Sequence, residues 1–322
     1  MRNALVLGVN GQDGGYLAEA LIRRQYAVIG VGRQPTSRHV PTGDAFRYVS
    51  LDLKDTETLA KLLQVVAPDV AFHVAAVHGA AGFSYEAVWR EMMAVNVLAL
   101  HVLLDYARER RAGMRVIYAG SSKIFPAPWS GTIDETTAYR PTCLYGIGKI
   151  SSLELIAHYR RNHGIAASNL IMFNHESVRR DDSFFVPRIA RALSAALTEA
   201  GTQVEVRTLD FWSDWSAADE LMDIAIDICE RAPDQDFILA SGHTWHARAA
   251  IDAIFARYGL DYHRHIREVL PPLDPGPTFK VSVGRLAQAI GRRPHKSILE
   301  IVDSMCGVGQ REPASAPPNP HK

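Results

Sequence analysis

The chain has 322 residues, 47% of them hydrophobic, enough to bury a sizeable core as one large α/β unit or two intimate domains. Lysine plus arginine balance aspartate plus glutamate at 35 each, which excludes a strong overall field for nucleic acid or an anionic membrane as partner. Cys143, Cys229 and Cys306 are too scattered for a zinc pattern or a disulfide framework and fit a reducing cytoplasm, and the N-terminal apolar run of about six residues is too short for a signal-peptide core or a membrane span. In chain order, Ala4–Gly8, Ala27–Val31, Val70–Val74, Val116–Tyr118 and Ser168–Met172 read as strands. Between them, Gly15–Arg24, Asp55–Val66, Tyr85–Arg111 and Leu144–Asn162 carry helical periodicity. The alternation predicts an α/β fold, a Rossmann doubly wound parallel sheet, with a smaller C-terminal substrate-binding lobe that includes helices Phe184–Glu199 and Ala247–Tyr258. The expected division is 1–173 for the dinucleotide-binding domain and 174–310 for the lobe with interleaved Rossmann segments. The Pro-rich stretch 311–322 is expected to be disordered.

The first strand runs straight into "GVNGQDGG", with Gly8, Gly11 and Gly14 spaced by three ahead of a helix. Glycine there lets the backbone turn tightly and approach a pyrophosphate, whose charge the helix N-terminus stabilises. After the second strand, where an acidic residue would accept the adenosine ribose hydroxyls, stands Arg33. A guanidinium suits a ribose phosphate, so the expected cofactor is NADP, with NAD as the alternative.

Tyr145 and Lys149 fall at i and i+4 on one helix, close enough to interact. A cation near the phenol lowers its pKa, making it a usable acid/base for a carbonyl or carbinol while a nicotinamide carries the hydride. His73 and His78 flank "VAAV" beside the cofactor path and read as packing residues. His263 and His265 lack a third ligand, and no metal site is expected.

With Ser121 upstream, this pattern resembles the Ser-Tyr-Lys arrangement of the extended short-chain dehydrogenase/reductases. The resemblance implies that Ser121 hydrogen-bonds the reacting oxygen, Tyr145 exchanges its proton, and Lys149 holds the nicotinamide ribose. "GVNGQDGGYLAEALI" (Gly8–Ile22), "MFNHESVRR" (Met172–Arg180) and "LDFWSDW" (Leu209–Trp215) are, more narrowly, similar to the GDP-mannose 4,6-dehydratase family. That similarity implies that Asp52 contacts the adenine and that Asn174 binds the substrate's diphosphate or sugar. It also implies that His175, with Glu176, Arg179 and Arg180, sits near the cofactor and interdomain cleft, and that Arg248 helps bind the nucleotide. It further implies a homodimer or homotetramer built on the helices Tyr85–Arg111 and Leu144–Asn162.

Three departures bear on the reaction. Arg33 is followed by Gln34 where the family has a second arginine, and Ser213 stands where the family has an arginine. The triplet Ser121-Ser122-Lys123 ends in lysine where the dehydratases have the glutamate that removes the proton at sugar carbon 5. A carboxylate is a base at neutral pH and an ordinary lysine is not. The following "IFPAPWSGTIDET" is similar to GDP-fucose synthase, an epimerase/reductase relative. The sequence therefore leads to an expected 4-keto reduction or epimerisation of a nucleotide sugar, which the resemblance implies is GDP-linked. The alternatives are dehydration with Lys123 as base and a non-catalytic NADP-binding regulator.

Overall fold

The computed structural model describes residues 2–80, 82–111, 113–198, 201 and 203–307, so the tail expected from 311 and the expected helix end at Glu199 lie outside it. In chain order the first half comprises β1 (Asn3–Leu7), α1 (Gln12–Arg23), β2 (Ala27–Gly32), β3 (Phe46–Ser50), α2 (Thr56–Val66), β4 (Val70–His73), α3 (Trp89–Met93) and α4 (Ala99–Arg110). Then come β5 (Arg115–Ala119), β6 (Gly131–Ile133), α5 (Leu144–His163), β7 (Ala167–Met172), β8 (Asn174–Glu176), α6 (Phe185–Leu197), β9 (Val204–Val206) and β10 (Trp212–Ala217). The chain continues through α7 (Ala218–Arg231), β11 (Phe237–Leu239), β12 (Thr244–His246), α8 (Ala247–Ala256), β13 (Ile266–Glu268), β14 (Phe279–Val281), α9 (Gly284–Ile290) and α10 (Ile298–Met305).

Seven strands form a parallel sheet in the order β11-β7-β5-β4-β1-β2-β3. Its inner strands are nearly all apolar because helices cover both faces: Ala4, Val6, Val28 and Ile117 join one core with α1 and α7, and Leu5, Leu7, Val116 and Tyr118 join the other with α2, α4 and α5. The sequence reading finds five of these strands. It misses β3, an edge strand with only Phe46 fully buried, and β11, three residues long, which reaches the sheet after a passage through the smaller lobe.

The single helix expected over Tyr85–Arg111 is instead α3 and α4 joined by a π-helical turn, Ala94–Leu98. The irregular turn leaves the Asn96 carbonyl free to accept from the Tyr118 hydroxyl at 2.8 Å and the Ser152 hydroxyl at 3.1 Å. The smaller lobe gathers α6, α8 and α10 around Ile189, Leu193, Trp215, Ile251 and Phe255. Its three-stranded sheet β12-β10-β8 carries residues toward the ends of the large sheet.

Candidate active site

The sheet order reverses between β1 and β4, and a cavity of about 440 Å³ opens at the carboxyl ends of these strands, where α/β sheets bind ligands. Gly8 ends β1 at a φ of +95°, and a Cβ there would meet the Ala75 backbone at 2.7 Å. A Cβ on Gly14 would lie 2.2 Å from the Gly8 carbonyl oxygen, so only glycine lets α1 begin this close to the strand. With Gly11 they form a backbone cradle at the helix N-terminus, along the cavity wall.

Arg33 and Asp52 line the far end of the same cavity. Arg33 is largely exposed and pairs with Glu91 of α3 at 3.1 Å, a partner that sequence spacing does not reveal. Asp52 accepts from the Lys54 backbone N–H at 3.0 Å and pairs with its ammonium at 3.3 Å.

The string around His175 closes over α1. His175 Nε2 lies 3.1 Å from Asp13 and its Nδ1 2.8 Å from the Phe173 carbonyl oxygen. Burial opposes charge on both partners, but mutual attraction prevails: Asp13 is lowered to about 2 and His175 is raised. Arg179 donates to Glu19 at 2.6 Å and lies over the Tyr16 ring, while Arg180 lies over Phe184. Glu176 is buried, which raises its carboxyl to about 7 against the pull of Arg180 and His175.

At the β5 end, Ser121, Lys123, Tyr145 and Lys149 converge on the cavity. Ser121 caps the short 3-10 turn Ser122–Ile124 by accepting from the Lys123 backbone N–H at 3.2 Å. Tyr145 and Lys149 lie on the buried face of α5, whose start is capped by the Cys143 sulfur. Lys149 Nζ donates to the Tyr118 hydroxyl at 3.0 Å and to the Ala119 carbonyl. Burial lowers Lys149 to about 7, with Asp13 acting in the opposite sense.

The expected lowering of the Tyr145 pKa by Lys149 is corrected here. The Lys149 Nζ is 5.4 Å from the phenol ring centroid and spends its hydrogen bonds elsewhere, while burial, followed by Tyr118 and Tyr85, holds the phenol well above its ordinary value. Arg180 and the Ser121 hydroxyl act the other way.

His78 is the residue the sequence reading misplaced. His73 is indeed buried, bonded to the Val95 carbonyl at 2.9 Å, but His78 lines the cleft. Its ring stacks on Tyr145 with centroids 4.5 Å apart, and its Nδ1 is 2.7 Å from the Tyr85 hydroxyl. Desolvation in the cleft, then the charges of Arg180, Lys149 and Lys123, lower its pKa and keep the imidazole neutral.

Lys123 has no carboxylate partner among the described residues. Asp134 binds Thr136 and Thr137, and Glu135 accepts from the Ile238 backbone and faces Arg285. Asn174 lines the cavity and donates to Ser213 at 2.7 Å. Arg248 lies outside both this cavity and its neighbour, its guanidinium held by Asp210 and Glu268, each at 2.7 Å. Among the described residues, no group of three or more His, Cys, Asp or Glu side chains gathers to hold a metal ion, and no helix is long and apolar enough to cross a membrane.

The family model for GDP-mannose 4,6 dehydratase matches residues 5–273. GDP-mannose 4,6 dehydratase 1 of Arabidopsis thaliana is 28% identical over 333 residues, covering 96% of this chain and 91% of its own. Among solved structures, UDP-glucose 4-epimerase of Thermotoga maritima aligns with a TM-score of 0.79 at 18% identity, over 96% of this chain and 99% of its own. RMD of Pseudomonas aeruginosa, solved with NADPH, aligns with a TM-score of 0.75 at 18% identity, over 95% and 98%. The protein belongs to the GDP-mannose 4,6-dehydratase family and is an enzyme of the extended short-chain dehydrogenase/reductase class.

Proposed function

We propose that the enzyme reduces or epimerises the 4-keto form of a GDP-linked sugar with NADP as cofactor. The observation that carries this reading is Lys123, open to the cleft without a carboxylate partner among the described residues, in the position where the family's eliminating glutamate is expected. The glycine cradle and Lys149 fit a dinucleotide, with Arg33 reaching for a ribose phosphate and Asp52 for the adenine. When bound, the nicotinamide supplies or accepts the hydride at sugar carbon 4.

The chain's own residues handle the oxygen and its proton. Ser121 donates a hydrogen bond to the carbonyl oxygen, and Tyr145 gives up its phenolic proton as that oxygen becomes a hydroxyl. Burial keeps the Tyr145 phenol protonated, the form that protonates the oxygen in the reducing step. Lys149, held by Tyr118 and the Ala119 carbonyl, is left to hold the nicotinamide ribose. Leu98 and Ile147, exposed by 51% and 43% on the two helices expected to pair, support a dimer.

The test is incubation with a 4-keto-6-deoxy GDP-hexose and NADPH, following loss of NADPH absorbance, beside GDP-mannose in deuterated water. Expected are NADPH oxidation with the keto sugar and no deuterium at carbon 5 or 6 of GDP-mannose. A 4-keto-6-deoxy product from GDP-mannose that vanishes in Lys123→Ala would overturn the reading and make the lysine the eliminating base.

A further inference from the structure

Tyr118, on β5, is fully buried, and its hydroxyl donates to the Asn96 carbonyl that the π-helical turn leaves free, at 2.8 Å. With its one proton committed there, the phenolic oxygen can only accept. It takes an N–H of the Lys149 ammonium at 3.0 Å and lies 3.1 Å from the Ser152 hydroxyl. The ring adds to the hold, since the Lys149 Nζ is 4.4 Å from the Tyr118 centroid, nearer than the 5.4 Å to Tyr145. The Ala119 carbonyl accepts a second N–H of the same ammonium. Two of its three N–H groups are thus spent on β5, and the third is left for the cavity that Lys149 lines.

This geometry discriminates between the two forms of the lysine. A hydroxyl that already donates to a buried carbonyl accepts readily from an ammonium, whereas turning its proton to a neutral amine would cost the Asn96 carbonyl its shorter bond. Burial opposes the charge on Lys149, and Asp13 of α1, ionised in its pair with His175, favours it. The other groups around the lysine carry no charge at neutral pH: His73 of β4 and His78 beyond it are kept neutral by burial, and the Tyr118 and Tyr145 phenols are raised. Lys123, on the short turn across the cavity, has its ammonium 5.8 Å from the Trp129 ring centroid. His175, raised from its ordinary value by Asp13, is the neighbour that changes charge closest to neutrality, so the lysine must be read by its own signal.

We propose that Tyr118 is a positioning residue for the reaction: anchored on the Asn96 carbonyl, it keeps Lys149 charged and leaves one N–H of the ammonium for the dinucleotide. This rests on the dinucleotide-dependent chemistry proposed above and adds the group on which its lysine depends.

The test follows the lysines of the full chain, labelled with a heavy carbon isotope at Cε, by NMR across about pH 5–10, without cofactor or substrate. The signal missing in Lys149→Met identifies Lys149. In Tyr118→Phe, which keeps the ring and deletes the acceptor, its midpoint should fall by about one to two pH units, the worth of one hydrogen bond to a charged group. Ser152→Ala removes a hydroxyl from the same cluster without touching Lys149 and should leave the midpoint in place. NADPH affinity, read by fluorescence, should weaken as pH rises through the midpoint, and should begin to do so at correspondingly lower pH in Tyr118→Phe. An unmoved midpoint in Tyr118→Phe, an equal fall in Ser152→Ala, or an NADPH profile identical to wild type overturns the proposal. If phenylalanine prevents folding, a fluorinated tyrosine at position 118, a weaker acceptor that retains the hydroxyl, must lower the midpoint, and no change there overturns it equally. A midpoint and an NADPH profile that shift as expected in a protein that does not turn over the 4-keto GDP-sugar would reject the proposed reaction and leave the hold of Tyr118 on Lys149 standing.

Discussion

Replacing Lys149 by methionine should make the protein less sensitive to pH while abolishing its chemistry. The ammonium is almost fully buried, and its pKa falls from 10.5 to about 7. At about 1.4 kcal/mol per pH unit, holding this lysine inside the fold costs about 5 kcal/mol wherever both the folded and the unfolded chain carry the proton, below about pH 7. Between about pH 7 and 10.5 the unfolded chain binds one more proton than the folded chain, so stability rises with pH and the cost fades. Methionine forfeits the bonds to Tyr118 and Ala119, and the stranded Ala119 carbonyl returns about 1–3 kcal/mol of the gain. That loss does not depend on pH. The stability difference between Lys149→Met and wild type should therefore shrink by about 3 kcal/mol from about pH 6 to about pH 9.5, read by urea denaturation of both proteins across the range. Parallel stability curves would refute the reasoning and mean that Lys149 stays hydrated and ordinarily basic.

Tyr145→Phe should keep NADPH binding and the melting temperature while cutting turnover by about two to four orders of magnitude; near wild-type turnover would remove the phenol from the proton path. Arg33→Ala should weaken NADPH about tenfold, the low end for a charge-assisted contact because Arg33 is 62% exposed, and leave NADH unchanged, whereas Glu91→Gln should strengthen NADPH. Equal losses of both cofactors in the Arg33 variant would count against a ribose-phosphate contact. Gly14→Ala should destabilise by about 1–3 kcal/mol and lower affinity for either dinucleotide, since its Cβ would press on backbone rather than on a movable side chain. An unchanged melting temperature and cofactor titration would contradict that fit.

The legible parts of this fold are those set by local patterns. The apolar runs of β1, β2, β4, β5 and β7 announce buried parallel strands, and the glycine spacing and the Tyr145-to-Lys149 interval bring two distant segments to one cleft. β11 escapes notice because three apolar residues carry no period, and the π-helical turn at Ala94–Leu98 because nothing local distinguishes it from regular helix. Side-chain partners chosen across the fold were equally hidden. Glu91 beside Arg33, Tyr85 beside His78, and the carboxylates that hold Arg248 are separated from their partners by loops, where spacing carries no geometry. A second cavity, beyond Lys123, draws Trp129, Trp212 and Phe279 from three unrelated segments, each of which alone reads as ordinary core.

The placement of β11 has a consequence for how the polypeptide matures. Phe237–Leu239 pairs with Leu170–Met172, so the large sheet stays incomplete until some sixty-five further residues (172 to 237) have left the ribosome. During that interval β7, four of whose six residues are apolar and all of which are buried in the finished fold, presents an open rim, the kind of surface that recruits foreign strands. A gene fragment ending near residue 173 would carry that rim permanently and should accumulate as insoluble material. Extending the fragment past Leu239 adds the missing strand along with α7, which packs against α1 and covers one face of the sheet. Nascent chains held on the ribosome should accordingly gain protease resistance in the large sheet only after α7 and β11 emerge together.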